Sequence, residues 1–335
     1  MRAAYIMKTG GPEVIQVGEL PTPSVGPGQA LVQIAAASVN PIDTYLRSGV
    51  VAMALPQPYI PGCDLAGTVT AVGEGVTRVR VGQRVWASNQ GLLGRQGTFA
   101  EFAVVDEPWL HAIPDGVSDA TAAGAALVGI TAHLGLFRAA RLQPGDWVYV
   151  SGGTGGVGSM VVQMAKAAGA KVATTVGSPA KVDLARELGA DCVMNYKNES
   201  VADVLMKVTE GRGVDVWYET QREPDFLTLI PTMARRGRIV VMAGRQAQPV
   251  FPVGPFYTRD LSLFGFAMFN ASPAEQQACA TSINEWLQQG KVKVVVGKTF
   301  ALEEAAAAHR LQEENTLGKA GTLIGKIIVQ VSPGR

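Results

Sequence analysis

Cysteine and histidine are scarce in this chain, with three of each in 335 residues. Cys63, Cys192 and Cys279 lie far apart. An odd, sparse set is no disulfide framework and fits a reducing compartment. Excess charge of either sign is also missing, since 29 basic and 28 acidic residues are mixed along the chain. Nucleic-acid surfaces leave a clustered basic footprint, so no polyanionic partner is expected. The opening "MRAAYIMKTGGPEVI" lacks the apolar core of a secretory signal, which gives the expectation of a cytoplasmic protein. Long apolar runs are rare as well. The 18 residues from Ala120 to Phe137 carry no charged side chain, but they are full of Ala, Gly and Thr and include His133. They read as a buried helix and not as a membrane span. No internal repeat or low-complexity tract is present.

What is there supports a large core: 47% of residues are hydrophobic and 17% charged. The length suggests two domains. The first ~120 residues read as β-rich, with strand-like runs at 29–39, 65–73, 82–88 and 97–105 divided by Gly and Pro turns. From about Ala120 strands and helices alternate. Trp147–Ser151, Lys171–Val176, Asp191–Tyr196, Val214–Glu219 and Arg238–Ala243 are the strand candidates. Helical spacing of apolar residues fills 158–169, 178–190, 201–211 and 225–237 between them. That alternation implies a parallel sheet covered on both faces. After Leu261 the pattern loosens, gives two helices at 273–290 and 302–314, and ends in the strand-like "GKIIVQV". A last strand after so much helix is placed to return to the first domain.

Five glycines fall in the seven residues from Gly152 to Gly158. Gly153, Gly155 and Gly158 fit G-x-G-x-x-G directly after a strand and at the opening of a helix. Missing Cβ atoms permit a tight turn and a close approach of pyrophosphate to the backbone. The N–H groups and dipole of the helix start then hold the anion, with Gly156 and Val157 completing the loop. The rival reading is a turn that only packs the helix on the sheet. NAD sites place an acid about 20 residues on, to bind the ribose 2′-OH. Ser159 to Val182 contains no acid, and the second strand ends in "TTVGSPAK". Ser178 and Lys181 there suit a 2′-phosphate, which makes NADP the expected cofactor.

The order of "AAASVNPIDTYLRSG", "PYIPGCDLAGTVTAVGEGVTRVRVGQRVWA", "GTFAEFAVV" and "SGGTGGVGSMVVQMAKAAGAKV" resembles the zinc-independent quinone oxidoreductase (zeta-crystallin-like) branch of the medium-chain dehydrogenase/reductase superfamily. The resemblance runs from the first strand to the terminal "GKIIV". It implies an α/β fold: a Rossmann doubly wound parallel sheet domain plus a discontinuous GroES-like β-rich catalytic domain. The boundaries would be 1–122 for the first part of the catalytic domain, 123–262 for the NADP-binding domain, and 263–335 for the return to the catalytic domain. The cofactor would lie in the cleft between domains, and the chain would form a homodimer by edge-to-edge joining of Rossmann sheets. The implied reaction is NADPH-dependent reduction of quinones or other conjugated carbonyl compounds.

The resemblance also bears on metal and on site residues. Zinc alcohol dehydrogenases of the superfamily carry Gly-His-Glu where this chain has Gly62-Cys63-Asp64, and "SVNPID" lacks their early liganding cysteine. Catalytic zinc needs about three converging ligands, whereas His111, His133 and His309 are scattered and no CxxC exists. No metal is expected, and Cys63 reads as a small buried residue. The family places the Asn and Tyr of "NPIDTYLRSG" beside nicotinamide and substrate. Asn40 and Tyr45 are therefore the first catalytic candidates: Asn40 to hydrogen-bond the acceptor oxygen or the ribose, Tyr45 to orient the acceptor or relay a proton. Asp43 is placed to support them or to cap a turn. Thr131, Tyr196, Met242, Ala243, Phe266, Met268 and Lys326 carry over as further cofactor positions, with Tyr196 flanking the 2′-phosphate.

Two departures stand against the resemblance. Quinone-reductase relatives carry a Val-Gly-Gly-like segment after the fourth Rossmann strand, where this chain has Thr220, Gln221, Arg222 and Glu223. Bulky polar residues there would crowd the cofactor ribose or re-aim the loop. Enoyl thioester reductases place a tyrosine after the Ser-Gly of "RSGVVAMALPQPYIPG", where Val50 and Val51 stand here, which counts against an acyl-thioester reductase unless Tyr45 substitutes. Two rival functions stay open: an enoyl-type reductase for another activated alkene, and a low-turnover NADPH-binding protein of structural (crystallin-like) or RNA-binding duty. The partner expected is a small quinone or enone. A membrane is not expected, and the balanced charge argues against nucleic acid.

Overall fold

The computed structural model describes residues 1–332. The chain begins with β1 (Arg2–Tyr5), β2 (Gln16–Glu19), β3 (Gln29–Val39), α1 (Pro41–Ser48), β4 (Asp64–Val72), β5 (Arg84–Ala87), β6 (Phe102–Asp106) and the short β7 (His111–Ala112). Along β3, Ala30, Val32 and Ile34 are buried while Gln33 is exposed, the period-two pattern of a strand with one wet face. From Ala36 to Val39 both faces are buried. Helix α2 (Asp119–His133) continues through a π-helical stretch to Ala139. By length and composition Asp119–Ala139 could cross a membrane, yet 72% of its apolar stretch is buried within the protein.

Next come β8 (Trp147–Val150), α3 (Gly156–Ala167), β9 (Lys171–Val176), α4 (Val182–Glu187), β10 (Cys192–Asn195), α5 (Val201–Val208), β11 (Val214–Glu219), α6 (Phe226–Leu229), β12 (Met233–Val241), α7 (Val253–Tyr257) and β13 (Ser262–Gly265). The chain closes with α8 (Pro273–Gln288), β14 (Val296–Ala301), α9 (Ala305–Thr316) and β15 (Lys326–Gln330). The segment expected as a helix over 225–237 departs most, while the strand expected over 97–105 begins only at Phe102. Only Phe226–Leu229 is α-helical, a 3₁₀ turn covers Ile230–Thr232, and β12 starts at Met233. Pro231 removes a backbone donor, and Met233 is pulled into register with Val214.

The chain folds as two compact units. One comprises Met1–Ile130, Ala271–Gln289 and the segment from Val294 on; the other comprises Thr131–Asn270 and Gly290–Lys293. In the first, the sheet order is β14-β15-β3-β4-β5-β7, with β6 also pairing β3. β15 is antiparallel to β3 and parallel to β14, so the last strand is bound into the sheet of the first strands. Its interior is apolar: Val32, Ile34, Leu65, Val69, Val85 and Val105 on one side, Ile6, Tyr59, Phe99, Ile327 and Val329 on the other. The N-terminal half of α2 belongs to this unit for a packing reason. A Cβ on Gly124 would lie 2.8 Å from Val294 and 3.2 Å from Ile328.

The second unit is a parallel six-stranded sheet in the order β10-β9-β8-β11-β12-β13. By position in the sheet this is 3-2-1-4-5-6, the doubly wound order whose direction reverses between β8 and β11. Trp217, Tyr149, Ile239, Met194, Leu205 and Phe226 pack one of its faces.

Candidate cofactor and catalytic residues

Ligands of doubly wound sheets bind beyond the strand C-termini at the reversal point. Here that point is flanked by the loop after β8 and the loop after β11. The first is the glycine loop. Gly152 has φ +77°, in the left-handed region, and its N–H donates to Thr175 Oγ1 at 3.1 Å. A Cβ on Gly153 would lie 2.2 Å from Thr174 Oγ1, and one on Gly158 would lie 2.1 Å from the Gly152 carbonyl. Close approach therefore requires glycine at both positions. Gly155 caps α3, whose first turn is Gly156, Val157 and Gly158. Its leading N–H groups have no intrahelical acceptor and form an anion seat.

At the end of β9, Tyr196 lies over Gly177: a Cβ on Gly177 would be 2.9 Å from the phenol oxygen. Ser178, the next residue, is the N-cap of the 3₁₀ turn Pro179–Lys181. Burial and the nearby Lys197 ammonium both hold the Lys181 pKa below its usual value. Ser178, Lys181 and Tyr196 are thus gathered in one corner, with Lys197 as an added cation.

The remaining residues of this unit lie near the other strand ends. Thr131 is buried and its carbonyl accepts from Tyr218 Oη at 2.7 Å. Met242 and Ala243 follow β12, and the next residue, Gly244, packs on the Arg222 carbonyl. Phe266 donates its N–H to Val241 O at 3.4 Å and lies under the Arg138 guanidinium, 5.5 Å from the ring centre. Met268 is buried.

In the first unit, strand register builds a second site. Ser38 on β3 pairs with Asp64 on β4; Ala87, the neighbour of Ser88, pairs with Leu65; Ile327 on β15 pairs with Val39. Lys326, Asn40, Ser38, Asp64 and Ser88 therefore fall in one row across four strands. Asp64 Oδ2 accepts from Ser38 Oγ and Asn40 Nδ2, both at 2.8 Å, and Oδ1 accepts from Ser88 Oγ at 2.7 Å. Lys326 Nζ donates to Val39 O at 2.8 Å and to Asn40 Oδ1 at 2.6 Å. Asn40, Asp43 and Asp64 are fully buried. The Asn40 amide thus links an ammonium to a carboxylate, and its backbone N–H donates to Asp43 Oδ2 at 2.7 Å, the cap of α1.

Burial pushes the Asp43 carboxyl up to about 7, opposed by the nearby Cys63 thiol and reinforced by Asp64. It also pushes Asp64 and Cys63 up and Lys326 down, while Asp64 and Asp43 favour the ammonium. An ammonium between buried acids is the arrangement that keeps such charges stable. Tyr45 is half-buried on the same helix as Asp43, and its carbonyl accepts from Ser48 Oγ and Val51 N. Past the end of α1, Thr9, Leu46, Gly49, Val51, Met53 and Leu55 line an apolar hollow of about 490 Å³. Among the described residues no three His, Cys, Asp or Glu side chains are grouped to hold a metal ion.

Comparison with known proteins agrees with both halves. Residues 26–115 match the alcohol dehydrogenase GroES-like domain, and residues 156–285 match the family described as zinc-binding dehydrogenase. Rat quinone oxidoreductase is 31% identical over 325 residues, 97% of each chain. This chain belongs to the quinone oxidoreductase family of medium-chain dehydrogenase/reductases. The Pseudomonas aeruginosa quinone oxidoreductase is 34% identical over 92% of this chain and 93% of that one. The Escherichia coli quinone oxidoreductase complexed with NADPH superposes with a TM-score of 0.85 at 26% identity, covering 99% and 100% of the two chains.

Sequence reasoning missed several residues of this family member's sites. Asp64, Ser38, Ser88 and Lys197 had no role assigned, nor had Glu219. An acid opening an otherwise apolar strand was the available signal for Asp64, since a buried charge implies partners. The serines had none, because register alone brings them to it.

Proposed function

We propose that this chain is an NADPH-dependent oxidoreductase that reduces quinones or other conjugated carbonyl compounds by hydride transfer, without zinc. The observation that carries the cofactor is the corner at the end of β9. Ser178, Tyr196 and two mutually repelling ammonium groups, Lys181 and Lys197, are gathered there. No acid lies between Ser159 and Val182 to repel a phosphate. Cations that disfavour one another are stabilised by a dianion between them. The loop Gly153, Gly155, Gly156, Val157 and Gly158 fits the pyrophosphate, and Thr131, Met242, Ala243, Phe266 and Met268 are the positions for the nicotinamide half.

NADPH, when bound, supplies the hydride. Lys326 is the proposed stabiliser of the oxyanion that forms on the acceptor, with Asn40 and Asp64 holding its ammonium and Asp43 fixing Asn40. An ammonium has three donors, and two are committed to Val39 and Asn40. Tyr45 is the proposed source of the proton that neutralises the product oxygen. The residues do not fit zinc. Burial, with the Asp43 and Asp64 carboxyls nearby, pushes the Cys63 thiol towards its protonated form, and the Asp64 carboxylate is already committed to Ser38, Asn40 and Ser88. No step runs through a metal. Three free thiols suit the cytoplasm, and we propose a homodimer.

The test is a paired turnover assay with a reactive ortho-quinone, following nicotinamide absorbance with NADPH and with NADH. Strong preference for NADPH is expected, and Lys181→Ala should cut NADPH affinity roughly 10–100-fold while leaving NADH nearly unchanged. No oxidation of either cofactor would sink the reductase reading. Equal losses with both would sink the assignment of the 2′-phosphate corner.

A further inference from the structure

We propose that Glu219 is a positioning residue for the glycine loop, acting through its buried bonds to Ser151 and Gln221, which hold the loop around Gly152. The proposal rests on the NADPH reading and extends it to a group that reading leaves unused. β11 ends at Glu219, one residue past Tyr218, which pairs with Val150 of β8. Glu219 therefore lies beside Ser151, the first residue of the glycine loop, and is 3% exposed.

Its carboxylate collects donors from both loops at the reversal point. Oε2 accepts from Ser151 Oγ at 2.9 Å and from Trp217 Nε1 at 3.1 Å, and Oε1 accepts from Gln221 N at 2.6 Å. Thr175 Oγ1 accepts from Gly152 N at 3.1 Å. Ser151 and Gly152, the first residues of the loop, are thus each tied down by a side chain, Ser151 by Glu219 and Gly152 by Thr175.

The residues that depart from the family pattern complete the clamp. Thr220 Oγ1 donates to the Ser151 carbonyl, and the Gln221 side-chain amide rests on Gly152, where a Cβ would lie 2.4 Å from Nε2. Glu219 thus holds the loop on both sides of Gly152. An ionised carboxylate satisfies all these donors. A protonated one carries a donor of its own and accepts more weakly, so its hold on Ser151, Trp217 and Gln221 loosens. Burial pushes the carboxyl up to about 7, opposed by its bonds from Gln221, Ser151 and Trp217. The titratable groups facing this network are Tyr149 from β8 and Asp225 from the start of α6. The ionised form is the one competent to seat the pyrophosphate.

The experiment measures NADPH affinity from pH 8 to pH 6 for the wild-type chain and Glu219→Gln, alongside the tryptophan fluorescence of each without cofactor. Protonation of the 2′-phosphate affects both proteins alike, so the ratio of the two dissociation constants isolates Glu219. If the neutral form binds about tenfold more weakly and Glu219→Gln mimics it, the wild type should be about ninefold tighter than the variant at pH 8 and within about twofold of it at pH 6. Trp217 donates directly to the carboxylate, so the wild-type emission should shift with a midpoint near pH 7 and the variant's should not. Ser151→Ala removes the bond to the loop but spares the carboxyl, so it should keep the emission shift and lose the tight binding at pH 8. It also keeps the test intact if Glu219→Gln fails to fold. Parallel affinity curves for wild type and Glu219→Gln, or wild-type affinity in Ser151→Ala, would overturn the clamp while leaving the NADPH reading in place. Failure of the wild type to bind NADPH at any pH would overturn that reading, and the clamp's purpose with it.

Discussion

At the scale of single residues, polar atoms buried without a local signal dominate both stability and chemistry. His309 on α9 is fully buried, stacks edge-on to Phe99, and neither ring nitrogen has a hydrogen-bond partner among the described residues. Burial, with a smaller contribution from the Arg47 charge, pushes its pKa down to about 3. A base with a depressed folded pKa contributes stability that is fully present above its unfolded value, near 6.5. That stability is lost as pH falls towards about 3, at roughly 1.4 kcal/mol per pH unit. Asp43 has the opposite sign: with a folded value near 7, its contribution is present below about 4 and is lost as pH rises to 7. His309→Leu removes the first effect and keeps the second. Between pH 6.5 and 4.5 the wild type should therefore lose about 2–3 kcal/mol more than the variant, read from urea midpoints at the two pH values. Equal losses would refute the assignment. Nothing in "AAAAHRLQ" announces this, because a histidine's burial is decided by what packs over it.

At the scale of elements, the sequence was most readable where one period governs. The strands beginning at Trp147, Lys171 and Val214 all appear, and 238–241 forms the later part of β12, because short β-branched runs between Gly and Pro leave few alternatives. The glycine loop was legible for a related reason: Gly153 and Gly158 stand where any Cβ would strike the chain. The helix expected over 225–237 failed because pairing with β11 pulls in Met233, a tertiary effect that local spacing cannot register. The π-helical stretch after α2 was equally hidden. Its Gly135 faces the Tyr218 ring, where a Cβ would lie 2.3 Å from a ring carbon, and Tyr218 is anchored by its bond to the Thr131 carbonyl. Neither partner can yield cheaply. Gly135→Ala should cost about 1–3 kcal/mol and lower Tm by several degrees in a thermal melt. An unchanged Tm would mean that the π-helical turn relaxes freely.

At the scale of the whole molecule, the row that assembles Lys326 with Asn40 and Asp64 joins residues 286 and 262 positions apart, counting from Lys326, through the pairing of the last strand with β3. Composition and periodicity revealed that such a return was plausible, but only register says which side chains meet. The same reasoning bears on assembly. The six-stranded sheet ends at β13, whose sequence SLFG carries no charge and no proline, the usual protections of an open edge. Leu263 on that strand is 40% exposed. An unprotected apolar edge is stabilised by pairing with another strand, and a two-fold axis beside β13 would supply an identical one. Light scattering on the wild type should give twice the 35.1 kDa chain mass, and Leu263→Lys, which places a charge at that edge, should shift it towards one chain. A dimer indifferent to Leu263→Lys would place the contact elsewhere. A wild-type monomer at micromolar concentration would mean that β13 stays open, and that the homodimer expected from family resemblance does not hold for this chain.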